Sequence, residues 1–586
     1  MRITQIDWII IIAYMVMSLV LGLYFTKKAS SSTEEFFLSG RNLPWWLVGT
    51  SMVATTFSSD TPLYVTGLVR SQGIYENWQW WCFVISGMLS VAVFAKLWKS
   101  AGVMTDVELT EMRYSGRPAL ILRGFKAIYF SVFIHTIIKA QVILAMVKIL
   151  DVTMGWDKWQ AIFISSGITI VYSLMSGYWG VIVTDFLQFI IAMIGAVLIA
   201  YFAVDKAGGL NMLTSRIDSI YGSGQHYTDF FPPLDGGFFS LPVLMFIAYM
   251  GMSWWSKYSS DGGGVIVQRM VSCKDEKHAV GATLYFNIAN YALRSWPWIV
   301  AAVASLILYP AVTDHESVYP MMVVDLLPEG VRGLMLASFF AAFMSTLSTY
   351  LNLSSMYFIN DFYRRFVNRD NSEKHYITVT RISILVLSLI TAVVTYYATS
   401  IVEVFKFLIA FGSGTGLVYL MRWFWWRVNA WSEVSAMVAS TLISSYIYVA
   451  HPGFPFYEKL FLIIFFSTVI WVTVTLLTGP VDEKHLLEFY RKVNVGGAGW
   501  KRIEGKLHHA ENLNKGLKVS IRDWLYGCIF IYGITIGLGM LLFGRFVEGG
   551  IYAFVGLLFG VFVFRGLSGV VEEGEGERLK RVKTGD

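Results

Sequence analysis

The feature of this sequence that most constrains its fold is a long succession of apolar stretches, each about as long as a membrane-spanning helix. Such a helix needs about 20 mainly apolar residues. About fifteen stretches approach that length: Trp8–Phe25, Pro44–Val69, Trp78–Trp98, Arg123–Ile149, Trp159–Met175, Trp179–Val204, Phe238–Ser260, Ala279–Leu308, Val331–Phe362, Ile377–Ala398, Ile401–Leu420, Val434–Ala450, Leu460–Leu477, Trp524–Phe543 and Gly549–Phe564. We therefore expect an all-α polytopic protein with about 15 spans.

The composition supports a membrane solvent and excludes several other classes. Hydrophobic residues make up 55% of the 586-residue chain and charged residues only 15%, against roughly 25% charged residues in soluble domains. The net charge of +6 is scattered over many short loops, so no nucleic-acid partner is predicted. The three cysteines lack metal-binding spacing. With no GxSxG or HExxH motif we predict no enzyme, no catalytic residues and no cofactor beyond a coupling ion.

Basic residues set the expected topology. Lys and Arg concentrate in the loops that follow the odd-numbered stretches and are sparse in the others. Since cytoplasmic loops carry the excess of Lys and Arg, we expect the N-terminus outside, and we expect a multi-pass protein of the cell (cytoplasmic) membrane.

Two of the stretches are interrupted by polar residues and helix breakers. The second contains Ser58-Ser59-Asp60 before Pro62, and the seventh contains Ser259-Ser260-Asp261 before three glycines. Such breaks free carbonyl and amide groups, which are tolerated at membrane depth only when buried in protein or lining a cavity. Because the interrupted spans are five apart, the pattern predicts two five-helix repeats of opposite orientation, with solute and ions bound where the breaks meet. Simple packing kinks are the structural alternative.

This repeat divides the chain into eight parts. They are an extra helix and inner loop (1–42), a first repeat (43–206), an external loop (207–237), a second repeat (238–421), further transmembrane helices (422–480), a solvated cytoplasmic connector (481–523), C-terminal transmembrane helices (524–568) and a charged cytoplasmic tail (569–586).

Ionisable residues inside the spans are the first candidates for a binding site, because a charge in a membrane normally faces a cavity or a partner. The candidates are Asp60, His135, Lys139, Asp185, Lys257, Asp261 and Arg294. The four-residue spacing of Lys257 and Asp261, and of His135 and Lys139, would place each pair on one helix face. An internal lattice, Lys257 with Asp261 and Arg294 with Asp60, is the structural alternative.

Three motifs resemble those of a known family, the sodium/solute symporters, which include proline, sialic acid and sugar carriers. They are Glu35–Arg41 before the first core helix, Gln268–Arg269 with Lys274–Glu276 after the sixth, and Ala341–Thr349 with Asn352 and Asp361 in the eighth. The resemblance implies a LeuT-like five-plus-five inverted-repeat core with additional N- and C-terminal helices. It also implies sodium (Na⁺) as the coupling ion.

The resemblance further implies which residues hold sodium, a hard cation that suits oxygen ligands. Carried over, the ligands are the carbonyls of Ala54, Phe57 and Ala342 with the side chains of Ser345 and Thr346. Ala342, Ser345 and Thr346 stand at i, i+3 and i+4, on one helix face. A second sodium in some members implies Asp185, Ser348 and Thr349, although Asp185 could instead be a structural acceptor and buried hydroxyls often bond back to their own helix.

The resemblance implies symport of a small organic solute by alternating access. Its sugar carriers have a gating Tyr where this chain has Ser259, beside Tyr258. Asp60 and Thr61 align with positions that face the substrate, and Lys139, Lys257, Tyr258, Asp261 and Arg294 complete our candidate solute set. These cations favour a zwitterionic or anionic metabolite over a sugar. Proton coupling through Asp60 or Asp185 is one alternative, and a solute sensor or channel on the same fold is another.

Overall fold

The computed structural model describes residues 3–29, 33–56, 58–493, 495–506 and 513–584. These residues form helices joined by turns and loops, and their only β-type pairing is one isolated bridge between Leu43 and Cys273. This agrees with the expected all-helical class.

The α-helices fall into three consecutive groups. The first contains α1 (Gln5–Ala29), α2 (Thr33–Leu38), α3 (Trp45–Thr56), α4 (Asp60–Gln72), α5 (Trp78–Trp81), α6 (Phe83–Leu89), α7 (Ala95–Ala101), α8 (Leu109–Arg113), α9 (Gly116–Ile128), α10 (His135–Met154) and α11 (Lys158–Lys206). The second contains α12 (Leu213–Tyr221), α13 (Leu241–Ala248), α14 (Trp254–Ser256), α15 (Val265–Ser272), α16 (Glu276–Asn287), α17 (Ser295–Leu308), α18 (Val318–Leu326), α19 (Val331–Met356), α20 (Glu373–Tyr397), α21 (Ile401–Gly412) and α22 (Gly416–Phe424). The third contains α23 (Ala430–Ala450), α24 (Phe456–Leu477), α25 (Glu483–Val493), α26 (Lys501–Glu504), α27 (Leu513–Leu542) and α28 (Phe546–Thr584).

Wider π-helical turns lie within five of the long helical stretches. They are Ser90–Phe94, Tyr129–Ile134, Tyr249–Ser253, Ile288–Leu293 and Tyr357–Val367. Short 3₁₀ turns stand in the connections, at Ser39–Arg41, Ile74–Asn77, Leu210–Met212, Ser223–Gln225, His315–Ser317 and Ala498–Trp500.

Within the described part of the chain, ten helices are long and apolar enough to cross a membrane, and the bent pair α21 and α22 makes an eleventh. Each of these eleven overlaps one of the predicted spans. The other four predicted stretches correspond to α1, to the start of α11 and to the two stretches predicted to be interrupted. Helix α11 runs from Lys158 to Lys206 with no loop between the two spans predicted there.

Both predicted interruptions are confirmed. The first separates α3 from α4 at residues 57–59, and the second separates α14 from α15 over residues 257–264. Gly262 and Gly264 have φ angles of +80° and +73°, which side-chain-bearing residues rarely adopt. The glycines therefore allow the second break to be longer and more irregular than the first.

The two broken helices lie side by side and run in opposite directions. Leu43, just before α3, exchanges backbone hydrogen bonds with residues 272 and 274, just after α15, at 3.2 Å each. The beginning of the first broken helix therefore meets the end of the second, as two inverted repeats require.

Local capping explains several helix starts. The side chain of Asp157 accepts backbone N–H groups at the start of α11, and Ser372, Ser400 and Asn429 do so at α20, α21 and α23. Helix α19 is capped from a distance, because Asp7 of α1 accepts hydrogen bonds from the N–H groups of Gly330 and Gly333 at 2.8 and 2.7 Å. The extra N-terminal helix thus fixes the start of α19.

The accessory helices surround this core. Helices α27 and α28 form a hairpin in which Gly533 and Gly556 meet so closely that a Cβ at Gly533 would lie 2.7 Å from the Gly556 Cα. Helix α24 exposes Phe461 by 53% and Leu477 by 81%, as expected of lipid-facing surface. The connector is not the solvated segment that we expected: Phe489 and Trp500 are buried against the core, because α25 carries an apolar face.

Candidate functional site

A cavity of about 340 Å³ lies where the two broken helices meet, within the size range of small-molecule sites. The first break contributes Thr56, Asp60 and Thr61 to its wall, and the second contributes Lys257 and Tyr258. Residues of the surrounding helices complete the lining, among them Tyr64, Trp80, Phe83, Ser90, Gln141, Asn287, Asn290, Arg294, Thr346, Tyr350 and Phe405. The structure therefore brings the two predicted breaks together at one site.

The residues that the resemblance implied for sodium lie where α3 ends against α19. Ser345 and Thr346 are buried, and the Thr346 hydroxyl donates to the carbonyl of Thr55 at 2.8 Å. Ala54 and Ala342 are buried in the two facing helices, while Phe57 lies outside the described residues. This meeting point concentrates uncharged hydroxyl and carbonyl oxygens, the donor set that a hard monovalent cation prefers.

Asp185 stands at the centre of a second polar cluster, next to the first. Its two carboxylate oxygens accept hydrogen bonds from Ser51 and Ser345, both at 2.5 Å. Ser345 is therefore shared between the two clusters. Ser348 instead donates back to the carbonyl of Ser345 at 3.1 Å, and Thr349 contacts Thr55 at 3.5 Å between hydroxyl oxygens.

The sequence did not reveal that a buried cation enters this second cluster. The Arg269 guanidinium lies 3.6 Å from the Asp185 carboxylate, donates to Thr349 at 3.2 Å and to Ser51 at 3.1 Å, and also bonds the Thr55 hydroxyl. The signal available was an arginine in an otherwise apolar run, Val265–Ser272, with an acidic residue in another span. A second sodium at Asp185 would have to share these oxygens with Arg269.

Arg294 holds the end of the first half-helix. Its guanidinium donates to the carbonyls of Val53 and Thr56 at 2.9 and 3.0 Å. Carbonyls at a helix C-terminus carry partial negative charge and lack partners within the helix, so a cation is favoured there. Arg294 thus lies between the last turn of α3 and the cavity, which it also lines.

The two acidic residues of the matching breaks have different surroundings. Asp60 faces the cavity and accepts a hydrogen bond from the amide of Gln141 at 2.7 Å. Asp261 is fully buried, bonded to Arg422 at 2.5 Å and to the Trp423 indole at 2.8 Å. The suggested pairing of Asp261 with Lys257 is wrong, because residues 257–264 are not helical and the partner is Arg422.

The remaining candidates lie at different distances from the cavity. The Lys257 ammonium lines it and stands 4.1 Å from the ring centroid of Phe83. Lys139 and Asp261 are absent from its described lining. Lys139 is completely buried in α10, and its ammonium has no hydrogen-bond partner among the described residues. His135, one turn earlier, contacts the Ser354 hydroxyl at 3.1 Å.

Comparison with known proteins gives a consistent result. The family model described as "Sodium:solute symporter family" matches residues 36–440. A sodium/glucose cotransporter 4 of Danio rerio is 28% identical over 547 residues, covering 82% of this chain and 80% of that protein. A sodium/glucose cotransporter of Vibrio parahaemolyticus is 22% identical over 503 residues, covering 82% and 91%.

A solved structure shows the same fold. A Na⁺-coupled sialic acid symporter, in a substrate-bound outward-open state, superposes with a TM-score of 0.67 at 22% sequence identity, covering 82% of this chain and 99% of that one. At this identity the likeness concerns the fold alone. It accounts for the arrangement of the helices around the cavity.

Proposed function

Because this chain belongs to the sodium:solute symporter family, we propose that it carries a small organic solute across the cell membrane together with sodium, by alternating access. The observation that carries the proposal is the position of Thr346, whose hydroxyl meets the end of the broken helix α3 at the cavity wall. Sodium bound there, by Ala54, Phe57, Ala342, Ser345 and Thr346, would join α3 to α19.

Sodium and solute are then coupled through shared structure. Sodium at the end of α3 would order the first break, which also lines the solute cavity, so each ligand would raise the affinity for the other by the same factor. Typical coupling is about 1–3 kcal/mol. A second sodium at Asp185, Ser348 and Thr349 belongs to the proposal only if Arg269 withdraws from that cluster, because like charges about 4 Å apart repel by about 4 kcal/mol in a partly buried site.

The proposed topology has fifteen spans with the N-terminus outside. The eleven helices or helix pairs that satisfy the length and hydropathy criteria support it, together with α1, the start of α11 and the two broken helices. The density of basic residues in alternate loops supports the orientation. The connector and the C-terminus are then cytoplasmic.

For the solute we propose a zwitterionic or anionic metabolite. Asp60, Thr61, Lys257, Tyr258 and Arg294 line the cavity, so both an ammonium and a carboxylate would find a partner. Two relatives are named for glucose and one structural neighbour for sialic acid, so a neutral sugar is the second candidate. Lys139 and Asp261 would act on the solute only indirectly.

The decisive test is stabilisation of the purified protein by solutes in sodium and in potassium. Amino acids, carboxylates and sugars are screened for a rise in melting temperature. We expect a hit among zwitterions or carboxylates that requires sodium. A hit equally strong in potassium would favour proton coupling through Asp60 or Asp185, or a sensor or channel; uptake driven by a pH gradient without sodium would identify the first of these.

A further inference from the structure

The connector between the last two groups of spans is folded onto the core. We define it here as residues 483–506, comprising α25, the turn Ala498–Trp500 and α26. Four side chains on one face of α25 are at most 3% exposed: Leu486, Phe489, Tyr490 and Val493. Trp500 is completely buried. A mere linker between spans has no reason to bury this much apolar surface.

The connector contacts the end of α22 through its backbone and an indole. The Trp500 indole donates to the carbonyl of Trp423 at 2.7 Å, and the N–H of Trp426 donates to the carbonyl of Gly499 at 3.2 Å. A Cβ at Gly499 would lie 2.0 Å from the Phe424 carbonyl oxygen, so only glycine permits this approach. The two segments are therefore fitted to each other.

Arg113 of α8 completes the contact from the other side. Its guanidinium lies 5.0 Å from the ring centroid of Trp500 and 5.4 Å from that of Phe489. Its Nε donates to the carbonyl of Arg422 at 2.6 Å. Stacking on two rings of the connector therefore orients the donor that holds Arg422.

The side chains of the same two α22 residues hold the second break. Arg422 and Trp423 both donate to one carboxylate oxygen of Asp261, at 2.5 and 2.8 Å. Asp261 precedes Gly262 and Gly263, which line the solute cavity. The carbonyls of Arg422 and Trp423 are thus fixed by Arg113 and by Trp500 of the connector, while their side chains fix the cavity wall.

We propose that Trp500 is a positioning residue for transport, and that the connector controls how readily the cavity opens to the cytoplasm. Trp500 holds Trp423, Trp423 and Arg422 hold Asp261, and Asp261 holds the glycine-rich break. Opening of the cytoplasmic side requires this break to move, so release of the connector favours the inward-open state. The inference rests on the proposed function for the orientation of the connector.

The test measures access to the cavity from the cytoplasmic side. Ser90 lines the cavity against the second break, with its hydroxyl 3.1 Å from the place of a Cβ on Gly262. A reporter Ser90→Cys is placed in the full chain after Cys82, Cys273 and Cys528 are replaced by alanine. Its rate of reaction with a membrane-impermeant maleimide is followed in inside-out vesicles containing sodium.

Trp500→Phe removes the indole donor and keeps an aromatic ring. We expect it to increase the labelling rate about fivefold, the factor that one lost hydrogen bond gives in a two-state equilibrium. Trp524→Phe is the matched control, because the Trp524 indole donates to the Ile85 carbonyl at 2.8 Å on an accessory helix. It should leave the rate unchanged.

Phe489→Leu provides a second, milder release of the connector and should also accelerate labelling. Unchanged labelling in both Trp500→Phe and Phe489→Leu would overturn the proposal, as would equal acceleration by Trp524→Phe. The assay needs no solute. A negative result therefore leaves sodium coupling standing, while a failure of sodium-dependent solute binding leaves the labelling result interpretable.

Discussion

The two breaks share the tripeptide Ser-Ser-Asp, yet the structure uses it in two ways. The middle residue does the same in both: Ser59 donates to the carbonyl of Val142 at 3.4 Å, and Ser260 donates to that of Gly416 at 3.1 Å. Each serine ties its break to a neighbouring helix. The aspartates differ, since Asp60 accepts from an amide and Asp261 from a guanidinium and an indole.

This difference assigns different tasks to the breaks. A buried carboxylate paired with a cation is satisfied within the protein, whereas Asp60 at the cavity wall keeps a charge that a ligand can meet. The first break is thus suited to binding, and the second, with its glycines and its ion pair, to controlled movement. The same sequence motif therefore does not predict the same role without its partners.

The largest expected effect concerns the ion pair at the second break. Arg422→Met removes the nearest cation from a carboxylate that is fully buried, so we expect a loss of stability of about 3–5 kcal/mol. Arg422→Met combined with Asp261→Leu should recover most of this loss. Thermal unfolding in detergent measures both, and a loss below about 1 kcal/mol for the single variant would contradict the contrast between the breaks.

At the first break, Asp60→Asn should affect binding instead of stability. An amide can still bond Gln141, so we expect a melting temperature close to that of the unchanged protein. If the solute carries an ammonium group, its affinity should fall about tenfold or more, since hydrogen bonds to charged groups contribute about 1.5–3 kcal/mol. The solute screen in sodium measures this, and an equal melting shift in both proteins would remove Asp60 from the site.

The sodium site should respond to smaller changes. Ser345→Ala and Thr346→Ala each remove one oxygen where α3 meets α19, and we expect the sodium concentration for half-maximal solute uptake to rise several-fold to about tenfold. Ser348→Ala is the control, because its hydroxyl bonds back to its own helix. Sodium dependence that stays the same in both variants would reject the assignment.

The smallest expected effect tests the feature that the two breaks share. Ser59→Ala and Ser260→Ala each remove one neutral hydrogen bond, so each should cost about 1 kcal/mol of stability. Parallel thermal melts give the comparison. A much larger cost at one site would show that the two serines are not equivalent.

Much of this arrangement was readable from the sequence because it depends on local signals. Pro62 and the glycines after Asp261 marked the two breaks, and the spacing of Ala342, Ser345 and Thr346 marked one face of α19. The partners of buried charges were not readable. Arg269 meets Asp185, and Arg422 meets Asp261, from spans far away in the chain, and the Lys257–Asp261 pairing failed because it assumed helical backbone at a break.

The bridge between Leu43 and Cys273 has a mechanical consequence. Two backbone hydrogen bonds join the segment before α3 to the segment after α15, and the Lys99 ammonium bonds the Cys273 carbonyl beside them. Half-helices fastened at their ends cannot tilt independently. We therefore expect α3 and α15 to swing as a single lever, so that a displacement begun at one break arrives at the other without a separate signal.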